Sequence, residues 1–318
     1  MATTWPAVAL AAALMTAGCA DAECDSGVVG LELVDRTFTA EVYSRGDLYV
    51  WPLGLAFDAG GALTVSNALG PTVVRRPTNL LRVDAGGTPS PLVEGLVGPS
   101  FLRWAPPGAF GGDLYVSILN SPDSHILRVA ADGSAVVEFA PLDFPGRIAF
   151  GQGGAFGDLL YTTNFSAAVS ANVLVRIDDL GTVGPFPVEE EGLARDGFGA
   201  LVFGRGGSLG NDLWIATSLP PSTVYRVDAE GNATGFETGL EVRALAAPGP
   251  DSPFADFLYI LTKRGGDTTI DRMAADGTIT SFATGLGTAE DLIFGPDERL
   301  YVSNPMPEPR ILRIRPCE

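Results

Sequence analysis

One stretch of the chain reads LIFGPDERLYVSNPMPEPRILRI over residues 292–314. It contains an apolar segment at 292–294, a turn rich in Gly, Pro and Asp, and a second segment that begins Leu300-Tyr301. After a polar loop, a third segment is centred on Arg313. Short apolar or alternating runs bounded by turn residues are typical of β-strands. This stretch therefore predicts a small antiparallel sheet.

The same unit can be read six times along the chain. Its second strand begins with Leu, usually followed by an aromatic residue, at Leu63, Leu114, Leu160, Leu213, Leu258 and Leu300. Its third strand carries one arginine at a fixed place, namely Arg82, Arg128, Arg176, Arg226, Arg272 and Arg313. These arginines are 46, 48, 50, 46 and 41 residues apart. Four strands in about 47 residues is the size of a propeller blade. The sequence predicts an all-β fold, a six-bladed β-propeller of four-stranded blades, and the repeated arginine is interpreted as part of its scaffold.

The two ends of the chain indicate how the ring closes. The last unit ends after its third strand at 310–314, and a strand-like segment at 37–43 precedes the first unit. We therefore expect an N-terminal strand to complete the last blade, so that residues 37–318 form one propeller. Cys24 and Cys317 lie near the two ends, and an even pair in an oxidising compartment is most simply a disulfide. Two free thiols are the alternative.

The N-terminus has the pattern of a targeting segment. Residues 7–15 form an apolar run that is too short to span a membrane. The following Thr16-Ala17-Gly18-Cys19 resembles the lipobox of bacterial lipoproteins, in which the cysteine thiol receives the lipid. We expect residues 1–18 to be a signal peptide, Cys19 to be lipidated, and 19–36 to be a tether. Ordinary secretion and a non-cleaved segment are the alternatives. The predicted location is the bacterial cell envelope, either lipid-anchored at the outer membrane or cell surface, or periplasmic.

The charge balance excludes some classes of partner. The formal net charge is −18 and the sequence pI is about 4.3. Such a chain repels nucleic-acid phosphates and anionic lipid headgroups. We therefore expect no nucleic-acid partner and membrane contact only through the lipid anchor. In the simplest interpretation, the excess of acidic residues keeps an exported protein soluble. We also expect a monomer whose partner is a small polar ligand or another protein.

Three motifs resemble one superfamily over residues 37–315. They are Pro-x-Gly-Leu-Ala-Phe at 52–57, Leu-Tyr-Val-Ser-Asn at 300–304 and Ile-x-Arg-Val-x-x-x-Gly at 126–133. Units of this form resemble the NHL-repeat and gluconolactonase-like six-bladed propellers. That superfamily includes calcium-dependent lactonases, strictosidine-synthase-like proteins and non-catalytic binding propellers. The resemblance implies a site where first strands begin and second strands end, at one mouth of the axial channel.

Aligning the six units at that mouth gives the candidate site residues. The charged ones, which we interpret as ligand-binding, are Arg147, Arg243, Glu290 and Asp291. The favoured function is a non-catalytic binding propeller without a cofactor, and no catalytic residue can be assigned. The alternative is a calcium-dependent lactonase or esterase, because carboxylate and amide oxygens suit Ca²⁺. Its metal ligands would be Glu290, Asp291, Asn304, Asn67 and Asn164. In a purely structural interpretation, Arg243 pairs with Glu290 and the asparagines cap strand ends.

The lipobox interpretation predicts the effect of one substitution. Cys19→Ser removes the thiol that would receive the lipid, so the protein should move from the membrane fraction to the soluble periplasm or the medium. Cys24→Ser is the matched control, because it removes the neighbouring cysteine and should leave fractionation unchanged. If Cys19→Ser stays in the membrane fraction, the protein is not anchored through this residue.

Overall fold

The computed structural model describes residue 24 and residues 26–68, 77–120, 123–166, 171–188 and 197–317. Strands dominate this part of the chain, with two single-turn 3₁₀ helices at Gly154–Phe156 and Gly207–Leu209 and no α-helix. No helix among these residues is long and apolar enough to cross a bilayer. The strands, in chain order, are β1 (Glu32–Leu33), β2 (Phe38–Arg45), β3 (Trp51–Phe57), β4 (Leu63–Ala68), β5 (Pro77–Val83), β6 (Pro89–Val97), β7 (Pro99–Trp104), β8 (Leu114–Ile118), β9 (His125–Val129), β10 (Val136–Pro141), β11 (Pro145–Phe150), β12 (Leu160–Ser166), β13 (Ala171–Ile177), β14 (Val183–Pro185), β15 (Phe198–Phe203), β16 (Leu213–Thr217), β17 (Ser222–Val227), β18 (Ala233–Ala246), β19 (Phe257–Arg264), β20 (Asp267–Ala274), β21 (Ile279–Thr284), β22 (Asp291–Phe294), β23 (Leu300–Asn304) and β24 (Arg310–Pro316).

The strands form antiparallel sheets that follow the sequence repeat. Units one, two and three are the four-stranded sheets β3–β6, β7–β10 and β11–β14, and unit six is β22, β23, β24 and β2. Units four and five share one eight-stranded sheet, because the long strand β18 pairs with β17 through its first half and with β19 through its second. In every unit the first strand pairs with the second and the second with the third. The first strands are β3, β7, β11, β15, the second half of β18, and β22.

The core lies between neighbouring sheets. Leu55, Val65 and Leu81 of unit one are fully buried and cluster with Tyr301 and Ile311 of unit six. Fully burying one such aliphatic side chain stabilises the fold by about 1.5–3 kcal/mol. An antiparallel sheet usually keeps one face in solvent, whereas these sheets bury apolar residues on both faces. Each unit is therefore stable only when stacked against its neighbours.

The repeated arginines form ion pairs at the edges of the units. Arg128 Nε lies 2.7 Å from Asp113 Oδ2, and Arg226 Nε lies 2.6 Å from Asp212 Oδ2. In unit six, the same position places Arg313 Nη2 2.6 Å from Glu41 of β2. Arg128 and Arg226 pair with the aspartate just before the second strand, whereas Arg313 pairs with the fourth strand. In each of these units the arginine joins two parts of the same sheet, as expected for a scaffold residue.

The two ends of the chain meet in unit six. Strand β2 pairs antiparallel with β24, from Phe38 opposite Pro316 to Arg45 opposite Arg310. Cys24 and Cys317 are joined by a disulfide, with their Cα atoms 6.2 Å apart. The predicted disulfide is confirmed, and it links residues 293 positions apart in sequence. Restricting the unfolded chain over so long a loop typically stabilises a protein by about 2–4 kcal/mol.

The predicted tether at 19–36 is wrong for residues 26–36. Strand β1 pairs with β21, with Glu32 opposite Thr284, and extends the shared sheet by one strand. Val28, Leu31 and Leu33 are buried in the cluster around Phe282. These apolar side chains pack because leaving them in water would cost more than ordering a short segment. Cys19 and the predicted signal peptide lie outside the described residues.

Candidate functional site

Two of the candidate arginines lie in β-bulges. In the first strands of units one to five, the register shifts near the start, as between Pro145 and Ile148 in β11 and between Val242 and Ala244 in β18. A bulge redirects a side chain that would otherwise point into the stacked faces. Gly146 permits the β11 bulge, because a Cβ atom there would lie 2.0 Å from Thr163 Oγ1. The bulges thereby direct Arg147 and Arg243 to the same end of the channel.

Arg147 crosses the channel from unit three to unit six. Its Nη1 donates to Asp291 Oδ1, while Nη2 donates to the carbonyl oxygens of Glu290 at 2.8 Å and Arg243 at 3.0 Å. The guanidinium lies 4.1 Å from the ring centroid of Phe101 in unit two. Arg147 is only 4% exposed, and its Nε is buried without a partner among the described residues. One side chain of unit three therefore contacts units two, five and six.

Asp291 is bound from three sides. Its Oδ2 accepts a hydrogen bond from the Leu55 backbone N–H at 3.0 Å, across the junction with unit one. The side chain is 1% exposed. Arg103 of unit two, which sequence alignment of the mouth did not include, places Nη1 4.0 Å from the same Oδ2 atom. The channel centre therefore holds two guanidinium groups around one carboxylate.

Arg243 and Glu290 lie outside this centre, at the mouth. Arg243 Nη1 lies 3.6 Å from Glu290 Oε2, and Arg243 Nε lies 3.1 Å from Glu241 Oε1. The Arg243 side chain is 36% exposed and that of Glu290 is 15% exposed. Burial raises the pKa of Glu290, although Arg243, Arg147 and a hydrogen bond from Trp51 act in the opposite direction. The pairing of Arg243 with Glu290 follows the predicted alignment of neighbouring units.

The three candidate asparagines hydrogen-bond with the backbone that leads into the first strands. Asn67 Oδ1 accepts from the N–H groups of Val50 and Trp51 at 2.8 and 3.1 Å. Asn164 Oδ1 accepts from the N–H of Phe144 at 2.8 Å. Asn304 donates through Nδ2 to backbone carbonyls, and its Oδ1 accepts from Arg310 Nε at 3.2 Å. These amides hold the chain where each unit begins.

The donor set does not fit a calcium site in this arrangement. Ca²⁺ takes six to eight oxygen ligands, but Asp291 is held by Arg147 and the Leu55 N–H, and each asparagine Oδ1 already accepts a hydrogen bond. The guanidinium of Arg147 also contributes positive charge where the cation would bind. Within the described residues, no three Asp, Glu, His or Cys side chains are grouped so that they could share a metal ion.

A serine in the second strand links consecutive units. Ser66 donates to the carbonyl of Ser100, Ser117 to that of Gly146, and Ser303 to that of Leu53 at 2.7 Å. The acceptor in each case lies in the first strand of the next unit. The last of these bonds joins unit six to unit one. Sequence reasoning missed this role, although the repeated Ser in Leu-Tyr-Val-Ser-Asn could have indicated it.

Solved structures with the same architecture include three proteins of different activity. A gluconolactonase from Xanthomonas campestris, XC5397, has a TM-score of 0.62 and 15% identity, covering 87% of this chain and 89% of its own. The chain therefore shares the β-propeller fold of these structures. The PQQ-bound aldose sugar dehydrogenase from Streptomyces coelicolor has a TM-score of 0.62 and 15% identity, covering 90% of this chain and 97% of its own. A streptogramin B lyase has a TM-score of 0.56 and 15% identity, covering 88% of this chain and 98% of its own. No protein-family model matches the chain, and no curated protein resembles it closely in sequence.

The buried contact of Arg147 predicts a large effect on stability. Arg147→Met leaves the Asp291 carboxylate without its main partner, and removing one member of a buried pair costs about 3–5 kcal/mol. Arg299→Met is the matched control, because Arg299 pairs with Asp297 at 3.7 Å and both side chains are about one-third exposed; it should cost about 0–1 kcal/mol. Urea denaturation measures both values. Equal effects of the two substitutions would show that the buried cluster contributes little to stability.

Glu290 predicts a pH-dependent effect. Because its pKa is raised in the folded protein, its contribution is fully present below the ordinary value of 4.5 and is lost as the pH rises through the folded pKa. In the Glu290→Gln variant, the side chain at this position cannot ionise. The stability of the variant relative to that of the wild type should therefore increase between about pH 4 and about pH 7. Thermal denaturation across this range checks the sign, and a constant or falling difference contradicts the assignment.

Proposed function

We propose that the protein is a six-bladed propeller of the bacterial cell envelope that binds a small polar or zwitterionic ligand at the mouth of its channel. In this proposal each unit is one blade, and β18 joins blades four and five. Strand β2 is the outer strand of the last blade, so the ring closes by pairing the two ends of the chain. The hydrogen bond from Ser303 to the Leu53 carbonyl and the packing of Tyr301 on Leu55 support a closed ring.

The arrangement of charge at the mouth supports ligand binding there. Arg243 lies between Glu241 and Glu290, and all three side chains are at least partly exposed. Below these exposed side chains lies the buried ion pair of Arg147 and Asp291. An anionic group of a ligand could bind Arg243 and a cationic group could bind the carboxylates, through charge-assisted hydrogen bonds. Since the buried pair is enclosed by protein, the exposed pair is the part of the site that is available.

Export to an oxidising compartment is part of the same proposal. The Cys24–Cys317 disulfide supports it, because such bonds persist mainly outside the reducing cytosol. Anchoring through lipid on Cys19, a monomeric state and the absence of nucleic-acid partners follow the sequence expectations above.

A calcium-dependent lactonase is the second candidate. Its support is the similarity of fold to a gluconolactonase, and its metal ligands would be Glu290, Asp291, Asn304, Asn67 and Asn164. The present contacts of those oxygens weigh against it, since a cation would have to replace Arg147 at Asp291. For this reason we place the lactonase after the binding protein.

Thermal denaturation of the mature protein distinguishes the two candidates. Free L-amino acids serve as zwitterionic probes, and calcium chloride serves as the metal. A ligand that binds only the folded state raises the midpoint as its concentration rises. We expect a rise with an amino acid that Arg243→Met abolishes and the surface control Arg299→Met retains. A rise with micromolar calcium that Glu290→Gln abolishes, together with hydrolysis of gluconolactone, supports the lactonase instead. With no response to any probe, the proposed mouth site is wrong.

A further inference from the structure

A second opening lies at the other end of the first strands. These strands run from the mouth at Arg243 and Glu290 to a cavity of about 710 Å³, which is lined by the residues where they end, from Phe57 of unit one to Phe294 of unit six. Small-molecule sites typically enclose about 300–1,000 Å³ and combine apolar walls with a few polar groups. Arg147 and Asp291 separate this cavity from the mouth. The cavity is therefore a separate site from the one proposed above.

Aromatic residues surround the cavity except in unit five. The residue paired with the leading leucine of the second strand is Phe57, Trp104, Phe150, Phe203 or Phe294 in the other five units. In unit five, Ala246 pairs with Tyr259, which places Ala247 at the equivalent position. Ala247 is 4% exposed and lies in one buried cluster with Trp214 of unit four, so neighbouring side chains already fill the space beside it. The cavity therefore has an aromatic wall in five units and a small apolar residue in unit five.

Arg103 is the one charged residue at its position in the repeat. The equivalent residues of the other units are Ala56, Ala149, Val202, Ala246 and Ile293, as their pairing with the second strands shows. Five units therefore show that the scaffold needs a small or apolar side chain here. A guanidinium at this position is not required by the packing of a unit, and it lines the cavity.

The guanidinium of Arg103 is only partly satisfied. Its Nη1 donates to the carbonyl oxygens of Leu55 at 2.6 Å and Leu102 at 3.0 Å. Its Nε and Nη2 make no hydrogen bond to any described residue, although the side chain is only 17% exposed. Buried or half-buried donors are normally paired with protein or ligand. Two donors on one planar group match the two oxygens of a carboxylate.

The local charge also favours an anion. Arg103 and Arg147 surround the single carboxylate of Asp291, so this centre carries one excess positive charge. Of the other charged side chains of the cavity, Arg205 contacts Glu298 at 3.1 Å, Asp58 contacts Arg82, and Asp158 is exposed to solvent, which screens its charge. Burial lowers the pKa of Arg103, which is the expected result of placing a cation where water is scarce.

We propose that this cavity binds an amphipathic carboxylate, with its carboxylate on Nε and Nη2 of Arg103 and its apolar body against the aromatic wall. The excess positive charge is then neutralised by the ligand.

Calorimetry on the wild-type protein provides the first test. The probes are hexanoate, 3-phenylpropanoate and naphthalene-2-carboxylate, each compared with its neutral amide. We expect at least one carboxylate to bind with Kd below about 1 mM, and its amide to bind about tenfold more weakly, since a charge-assisted pair is lost. Equal affinity for carboxylate and amide, or no binding of any carboxylate, overturns the proposal without any substitution.

Three variants locate the site. Arg103→Met keeps the apolar stem of the side chain and should weaken the carboxylate about tenfold while leaving the amide unchanged. Arg299→Met, away from the cavity lining, is the control and should have no effect. Circular dichroism verifies that each variant is folded, and if Arg103→Met does not fold, the comparison of each carboxylate with its amide on the wild-type protein decides. Loss of binding in Arg205→Met but not in Arg103→Met assigns the anion to the rim and overturns the proposal.

Discussion

The contact between Arg147 and Asp291 constrains the rest of the channel. It joins unit three to unit six, and through the Leu55 N–H it also reaches unit one. Because Arg147 donates to the backbone carbonyls of Arg243 and Glu290 as well, the start of the first strand of unit five is also held at a fixed distance from it. The channel is consequently divided into a polar mouth with Arg243 and Glu290 and an aromatic cavity with Arg103. Each compartment can be considered separately for ligand binding.

A buried ion pair is stable only if its remaining polar atoms are also satisfied. Asp291 meets this condition through the Leu55 N–H, and Arg147 through two carbonyl oxygens and the face of Phe101. The condition fails at two places, Nε of Arg147 and the outer donors of Arg103. The first is enclosed by protein, whereas the second lines a cavity. Only the second can be completed by a ligand.

Periodicity predicted much of the scaffold. Strand spacing predicted the units, and alignment of neighbouring units predicted the contact of Arg243 with Glu290. The six copies of the third-strand arginine indicated a scaffold role, but its acidic partners, such as Asp113 for Arg128, were found only in the structure. Arg103 was missed because it sits in the alternating segment Ser-Phe-Leu-Arg-Trp, where a one-residue shift exchanges the two faces of a strand. The bulge in β7 makes that shift and cannot be read from the residue pattern. The packing of residues 26–36 was missed since its few apolar residues acquire partners only in the folded protein.

The repeat supplies its own comparison for deciding which residues are scaffold. A residue type found in most units at one position, such as the third-strand arginine or the aromatic ring at Phe57, satisfies a need common to every unit. Arg103 departs from five units that agree, and it lines the cavity. It adds a charge that burial makes costly. A departure that costs stability, and that leaves unsatisfied donors beside an open cavity, has an explanation if a ligand with an anionic group and an apolar body occupies that cavity.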